Sequence, residues 1–169
     1  MKRKIIELIL IFVCFILQCT FFKAIALGGI VPNLLVIITA SFGLMHGQKE
    51  GMYVGFISGL LTDIMFGNGI IGLYALIYVF VGYFNGLLSR IFYPEDIKLP
   101  LFLITISDFL YCFICYILTF LLRSRLDLGY YLIHIIFPEM IFTVLITLVV
   151  YKGILNLETW IEETEDEEN

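Results

Sequence analysis

The chain has 169 residues, 61% of them hydrophobic and only 15% charged, with a formal net charge of −5 and a mean hydropathy of +1.02. Soluble domains carry about 25% charged residues, so an ordinary soluble enzyme or binding module is excluded and a polytopic membrane protein is indicated. No basic surface is available for nucleic acid, and the acidity itself is local, with Glu158, Glu162, Glu163, Glu165, Asp166, Glu167 and Glu168 crowded at the C-terminal end.

A membrane-spanning helix needs about 20 mostly apolar residues. In chain order the candidates are Ile5 to Phe22, Ile30 to Leu44, Met52 to Phe66, Ile70 to Leu88, Leu99 to Leu122 and Leu132 to Tyr151. The fold class expected is therefore all-α, a polytopic bundle of six transmembrane helices. The first candidate imitates a secretory signal: Lys2, Arg3 and Lys4, an apolar run, then Ala24-Ile25-Ala26. Its apolar run exceeds the roughly 7 to 15 residues of a signal's central region, and Lys23 interrupts the approach to the cleavage motif, so an uncleaved first span is expected. The second and third candidates are short and must borrow flanking residues to cross.

Gly43, Gly47, Gly51, Gly55 and Gly59 recur every four residues across the second and third spans, and Asp63 takes the next step of the same spacing. In a water-exposed helix each such glycine costs roughly 0.5 to 1 kcal/mol relative to alanine. Between membrane helices the same residues let backbones approach closely, which is how helices associate where lipid is as apolar as leucine. These five glycines are candidate helix-packing positions. Gly67-Asn68-Gly69-Ile70-Ile71-Gly72 then matches the dinucleotide motif by letter, but that motif needs a preceding strand and a later acid. A tight external turn is expected there.

Cys14, Cys19, Cys112 and Cys115 fall within spans, where they act as small polarizable residues. Cys112 and Cys115 form C-x-x-C without the thioredoxin-like context that redox chemistry needs, and metal binding would want more ligands at zinc spacing. No cofactor, no metal and no catalytic residue is expected. No serine, cysteine or histidine stands beside a base and an orienting acid as nucleophilic catalysis requires, so the protein is not expected to be an enzyme. Tyr93, Tyr130, Tyr131, Tyr151 and Trp160 lie near span ends, as an aromatic belt would.

Asp63, Asp108 and Glu139 are candidate intramembrane polar or partner-contact residues, with Gln18, Asn85 and His134 nearby in the pattern. An ionised side chain at a helix centre costs about 2.5 to 3.5 kcal/mol on insertion scales, so such groups face a bundle interior or a wet cavity. Each is either a relay or partner-contact group or a hydrogen-bonded structural carboxyl. Orientation follows from the cations: with the N-terminus cytoplasmic, Lys2, Arg3, Lys4, Lys49, Arg90, Lys98 and Lys152 lie inside, and Lys23, Arg123 and Arg125 outside. That imbalance places both termini in the cytoplasm. Residues 1–152 make up the bundle. Residues 153–169 form an acidic cytoplasmic tail, expected to be solvated and disordered, with an interaction role as the alternative.

Taken together, the basic start, Pro32-Asn33-Leu34-Leu35, the turn Gly47-Gln48-Lys49-Glu50-Gly51, the run Gly55-Phe56-Ile57-Ser58-Gly59-Leu60-Leu61-Thr62-Asp63, Gly72-Leu73-Tyr74 and Pro138-Glu139 resemble the bacterial rod shape-determining protein family MreD. Pro32, Asn33, Gly72 and Pro138 are the family-like motif positions. Many members carry Asp where Asn33 stands here, and the acidic tail is not a family feature. The resemblance implies a non-enzymatic multi-pass subunit of the cell-elongation complex in the cytoplasmic membrane. Its implied partners are MreC directly, then MreB and the peptidoglycan synthases, with lipid around it and a homo-oligomer left open. It also implies a fold like that of the S-components of energy-coupling-factor vitamin transporters. A substrate-binding S-component is hence the alternative function; it calls for an outward pocket with convergent polar groups, which the short outer loops do not supply.

Overall fold

The structure is a computed structural model and describes residues 2–26, 29–66, 72–91, 97–119 and 128–167. All its regular elements are helical. Helix α1 is Lys2–Leu17, continued by a π-helical turn, Gln18–Phe22. Helix α2 is Leu34–His46 and α3 is Gln48–Phe66. Helix α4 is Leu73–Leu87 with a 3-10 end, Leu88–Ile91, and α5 is Lys98–Thr119. The last helix, α6, joins Leu128–Tyr131, a π-helical stretch Leu132–Ile136 and the long run Phe137–Glu167.

Local chemistry explains where these helices start, stop and bend. Asn33 caps α2, its Oδ1 accepting from the Val36 N–H at 3.2 Å, a standard use of asparagine at an N-cap. Gly47 ends α2 with φ of 88° and Gly72 opens α4 with φ of 102°, a region that glycine enters without steric cost. Pro138 has no N–H to return to His134, and the π-helical widening lies immediately before it, as expected where the i to i−4 ladder is interrupted. Within the other π turn the Thr20 hydroxyl donates to the Ile16 carbonyl of α1 at 2.6 Å, a competition that bends helices.

Among the described residues, four helical segments are long and apolar enough to cross a membrane: Arg3–Phe22, Leu73–Ile91, Lys98–Leu118 and Gly129–Ile161. The other two differ from them in opposite ways. Helix α2 is apolar but has only 13 residues, about 20 Å at 1.5 Å per residue. It touches every other helix, and every residue from Leu34 to Leu44 is buried. Helix α3 has 19 residues but carries Gln48, Lys49, Glu50 and Asp63. The core is accordingly built around α2, with Ile11, Phe15, Val54, Tyr78, Ile104, Tyr151 and Ile154 packed about it. Large apolar side chains on the outer helices, such as Phe12, Phe80, Phe102 and Val149, face outward, as lipid contact demands.

The glycines pack α3 against α4. A Cβ placed on Gly51 would lie 2.5 Å from the Gly82 carbonyl oxygen, and one on Gly43 of α2 would lie 2.8 Å from the same atom. Gly55 faces the Tyr78 carbonyl and Gly59 the Ala75 backbone, while on α4 Gly82 faces Gly51 and Gly86 faces Gln48. The small-residue surface is thus two-sided. Gly47 departs from the expected role: it is the turn between α2 and α3, and a Cβ there would meet only the Ser89 hydroxyl, at 3.7 Å. The G-x-G-x-x-G turn lies outside the described residues apart from Gly72.

The acidic end is also corrected. Instead of a disordered tail from residue 153, α6 continues to Glu167, and Ile154, Glu158 and Ile161 are buried. Arg3 Nη2 donates to Glu158 Oε2 at 3.2 Å, His46 Nε2 lies 3.2 Å from the same oxygen, and Lys4 bridges Glu7 and Glu50. These ion pairs hold the start of α1, the α2–α3 turn and the far part of α6 at one end of the bundle.

Candidate functional site

The opposite end holds a cavity of about 560 Å³, built where α1 and α3 end and α2, α4 and α6 begin. Polar groups reach it from Gln18, Lys23, Asn33, Thr62, Tyr74, Tyr111 and Glu139. Apart from Asn33 its polar side chains come from helices, so the shortness of the loops does not prevent it, contrary to the expectation drawn from the sequence.

At its floor the α2 N-terminus lies inside the protein, where free backbone N–H groups would be costly. Side chains from two other helices supply acceptors, and a third helix holds the capping side chain. Gln18 Oε1 accepts from the Leu35 N–H at 3.3 Å, and Thr143 Oγ1 accepts from the Asn33 N–H at 3.3 Å. The Tyr78 hydroxyl donates to Asn33 Oδ1 at 2.9 Å. Asn33 is 3% exposed, and the network ties α1, α4 and α6 to this one helix start.

The three acids singled out from the sequence are separated by the fold. Asp63 accepts three backbone hydrogen bonds from the start of α4: Gly72 and Ala75 donate to Oδ2 at 3.0 and 2.9 Å, and Tyr74 donates to Oδ1 at 3.1 Å. Its negative charge also sits at the positive end of the α4 dipole. Asp108 and Glu139 instead come together, with Cys112 between them. One ligating atom from each of the three lies within 4.8 Å of the other two. Asp108 is fully buried, and neither of its oxygens has a hydrogen-bond partner. Glu139 is half-buried and shared with the cavity wall.

The remaining polar candidates lie elsewhere. Asn85 donates to the Val81 carbonyl at 2.8 Å and to Ser107 Oγ at 2.7 Å, joining α4 to α5. His134 is exposed and stacks on Tyr130 with centroids 4.2 Å apart. Cys112 is the member of the cluster that the C-x-x-C spacing obscures. Its signal is Asp108 at i−4 on one helical face; the third member, on α6, is invisible to any spacing within α5.

Fold and site together define a small helical membrane protein with an internal polar cavity. Residues 1–157 match the family model of MreD, the rod shape-determining protein, and the chain belongs to the MreD family. No curated protein and no solved structure matched it.

Proposed function

We propose that this member of the rod-shape system is a non-enzymatic subunit of the cell-elongation complex, binding MreC directly and helping MreB and the peptidoglycan synthases to direct lateral wall growth. The family match over residues 1–157 carries this reading. The architecture supports it: the polar groups cap helices, tie them together or line a cavity, while broad apolar faces on the outer helices are free to meet lipid or a partner helix. The bundle sits in the cell membrane with six crossings. Arg3 and Glu158 share one end, and the Lys/Arg imbalance makes that end cytoplasmic.

Depletion from a rod-shaped host should make cells widen and round, and purification in mild detergent should recover MreC. Normal cell shape on depletion together with no MreC recovery rejects the proposal.

The cavity favours one other reading. Its volume of about 560 Å³ lies within the roughly 300 to 1,000 Å³ of small-molecule sites, as a vitamin-binding S-component would need. Recovery of an energy-coupling ATPase module in place of MreC, with lost vitamin uptake on depletion, would establish that function instead.

A further inference from the structure

We infer that Asp108 and Cys112 on α5 and Glu139 on α6 form a binding site for one divalent transition-metal ion of the zinc class. Two ligands from one helical turn and one from the facing helix converge until an oxygen, a sulfur and an oxygen lie within 4.8 Å of one another. Zinc bonds of about 2.0 to 2.3 Å in a tetrahedron require these atoms to close further, by a rotation of side chains. The backbone already supplies the convergence.

The unpartnered Asp108 carboxyl carries the inference. Both its oxygens are shielded from solvent and neither receives a hydrogen bond of ordinary geometry; the Thr143 hydroxyl on α6 acts on the carboxyl without satisfying it, and one oxygen belongs to the cluster. Buried polar atoms are nearly always satisfied, and a carboxyl that merely shared a proton with Glu139 would show a hydrogen bond to it. A cation satisfies Asp108 and Glu139 at once and removes the like-charge repulsion between them. The thiol selects the class of cation. Magnesium and calcium prefer six or more oxygen ligands, whereas a thiolate favours zinc and its soft neighbours.

Access and coordination number agree. Glu139 belongs both to the cluster and to the cavity wall, so an ion reaches the site through the cavity, and a water or other donor from the cavity can take the fourth position. Three protein ligands with one exchangeable position is a common zinc arrangement. The π-helical stretch Leu132–Ile136 lies just before Glu139, and such stretches frequently mark functional positions. Binding converts the Cys112 thiol to thiolate and releases its proton to water. In this arrangement the ion clamps α5 to α6 at the depth of the cavity floor.

The test uses the full chain, purified through a tag free of His and Cys and stripped with a chelator. Titration with Co²⁺ should give one equivalent of binding with a near-ultraviolet thiolate-to-metal charge-transfer band, and Zn²⁺ should displace it. Changes beside a metal ligand weaken affinity by about 10- to 100-fold, so removing a ligand should do at least as much. Asp108→Asn and Glu139→Gln should each weaken Zn²⁺ binding by at least about tenfold, and Cys112→Ser by about 100-fold with loss of the band. Cys115→Ser should leave both unchanged. The wild-type cobalt spectrum requires no variant to fold: absence of the band overturns the inference outright. So does a band that survives Cys112→Ser, or equal competition by Mg²⁺.

Discussion

Asp63 and Asp108 are the same residue, each buried within the bundle, and the fold gives them opposite surroundings. Asp63 ends α3 beside the start of α4, where backbone N–H groups have no helical partner, and it accepts three of them. Asp108 lies mid-helix in α5, where the neighbouring backbone donors are already used within the helix. Only side chains can serve it: Cys112 one turn along α5, and from α6 Glu139, which brings a second acid, and Thr143. Burial alone therefore says little about an intramembrane carboxyl. What decides its role is whether it lies at a helix end, where unpaired donors are supplied, or at a helix middle, where they are not.

That contrast can be broken or sharpened in order of expected effect. The largest concerns the interface that positions Asp63: Gly82→Leu should cost about 3 kcal/mol or more, because a Cβ there already collides with the Gly51 carbonyl. Folded yield and thermal melting in mild detergent measure it, and Gly153→Leu, at a site with nothing within 4 Å of a Cβ, is the control that should be tolerated.

Next, Asp63→Leu orphans three donors at about 1 kcal/mol or more each. Asp63→Asn keeps one acceptor oxygen but turns an amide toward the remaining donor, so it should fall between wild type and Leu in the same melting assay. Equal melting of the Asn and Leu variants would break the capping account. Arg3→Ala should cost roughly 1 to 2 kcal/mol, less than a fully buried pair would, since Arg3 is 33% exposed while Glu158 is 8% exposed. Charge reversal in the double variant Arg3→Glu, Glu158→Arg should recover part of that loss. Smallest of all, Asp108→Asn in chelator should change stability by less than about 0.5 kcal/mol, because no hydrogen bond is lost. With Zn²⁺ at about 100 times its Kd, the wild type should gain about 2.7 kcal/mol and Asp108→Asn, binding at least about tenfold more weakly, about 1.4 kcal/mol or less, which melting with and without the metal reads directly.

The membrane bundle is legible from composition because apolar content at this level has few other uses. Its helices follow from apolar runs punctuated by Asn33, Gly47 and Gly72, whose local chemistry acts wherever the rest of the chain goes. Gly51, Gly55 and Gly59 are visible as a stripe, but Gly82 and Gly86 opposite them form only one pair at that spacing and are hard to see alone. The far part of α6 is obscured for a different reason. Seven acids read as a solvated run, while Thr147, Tyr151, Ile154, Glu158 and Ile161 continue a buried helical face beneath it. Pairing of Asp108 and Cys112 with Glu139 depends on how α5 meets α6, and periodicity within one helix carries no information about its partner's register.

The shortness of α2 has a consequence for how the protein is made. A helix of 13 residues spans about 20 Å against a hydrocarbon layer of about 30 Å, and non-helical Val31, Pro32 and Asn33 precede it with backbone groups that lipid cannot satisfy. Such a segment is poorly suited to leave the translocon alone. It has to be released together with α3 as a hairpin, held beside α1 until α4 arrives with Tyr78 and α6 with Thr143. The centre of the bundle is thus the part of the chain that depends most on the order and pace of synthesis, and slowed translation after α3 should expose it to membrane proteases before any other segment.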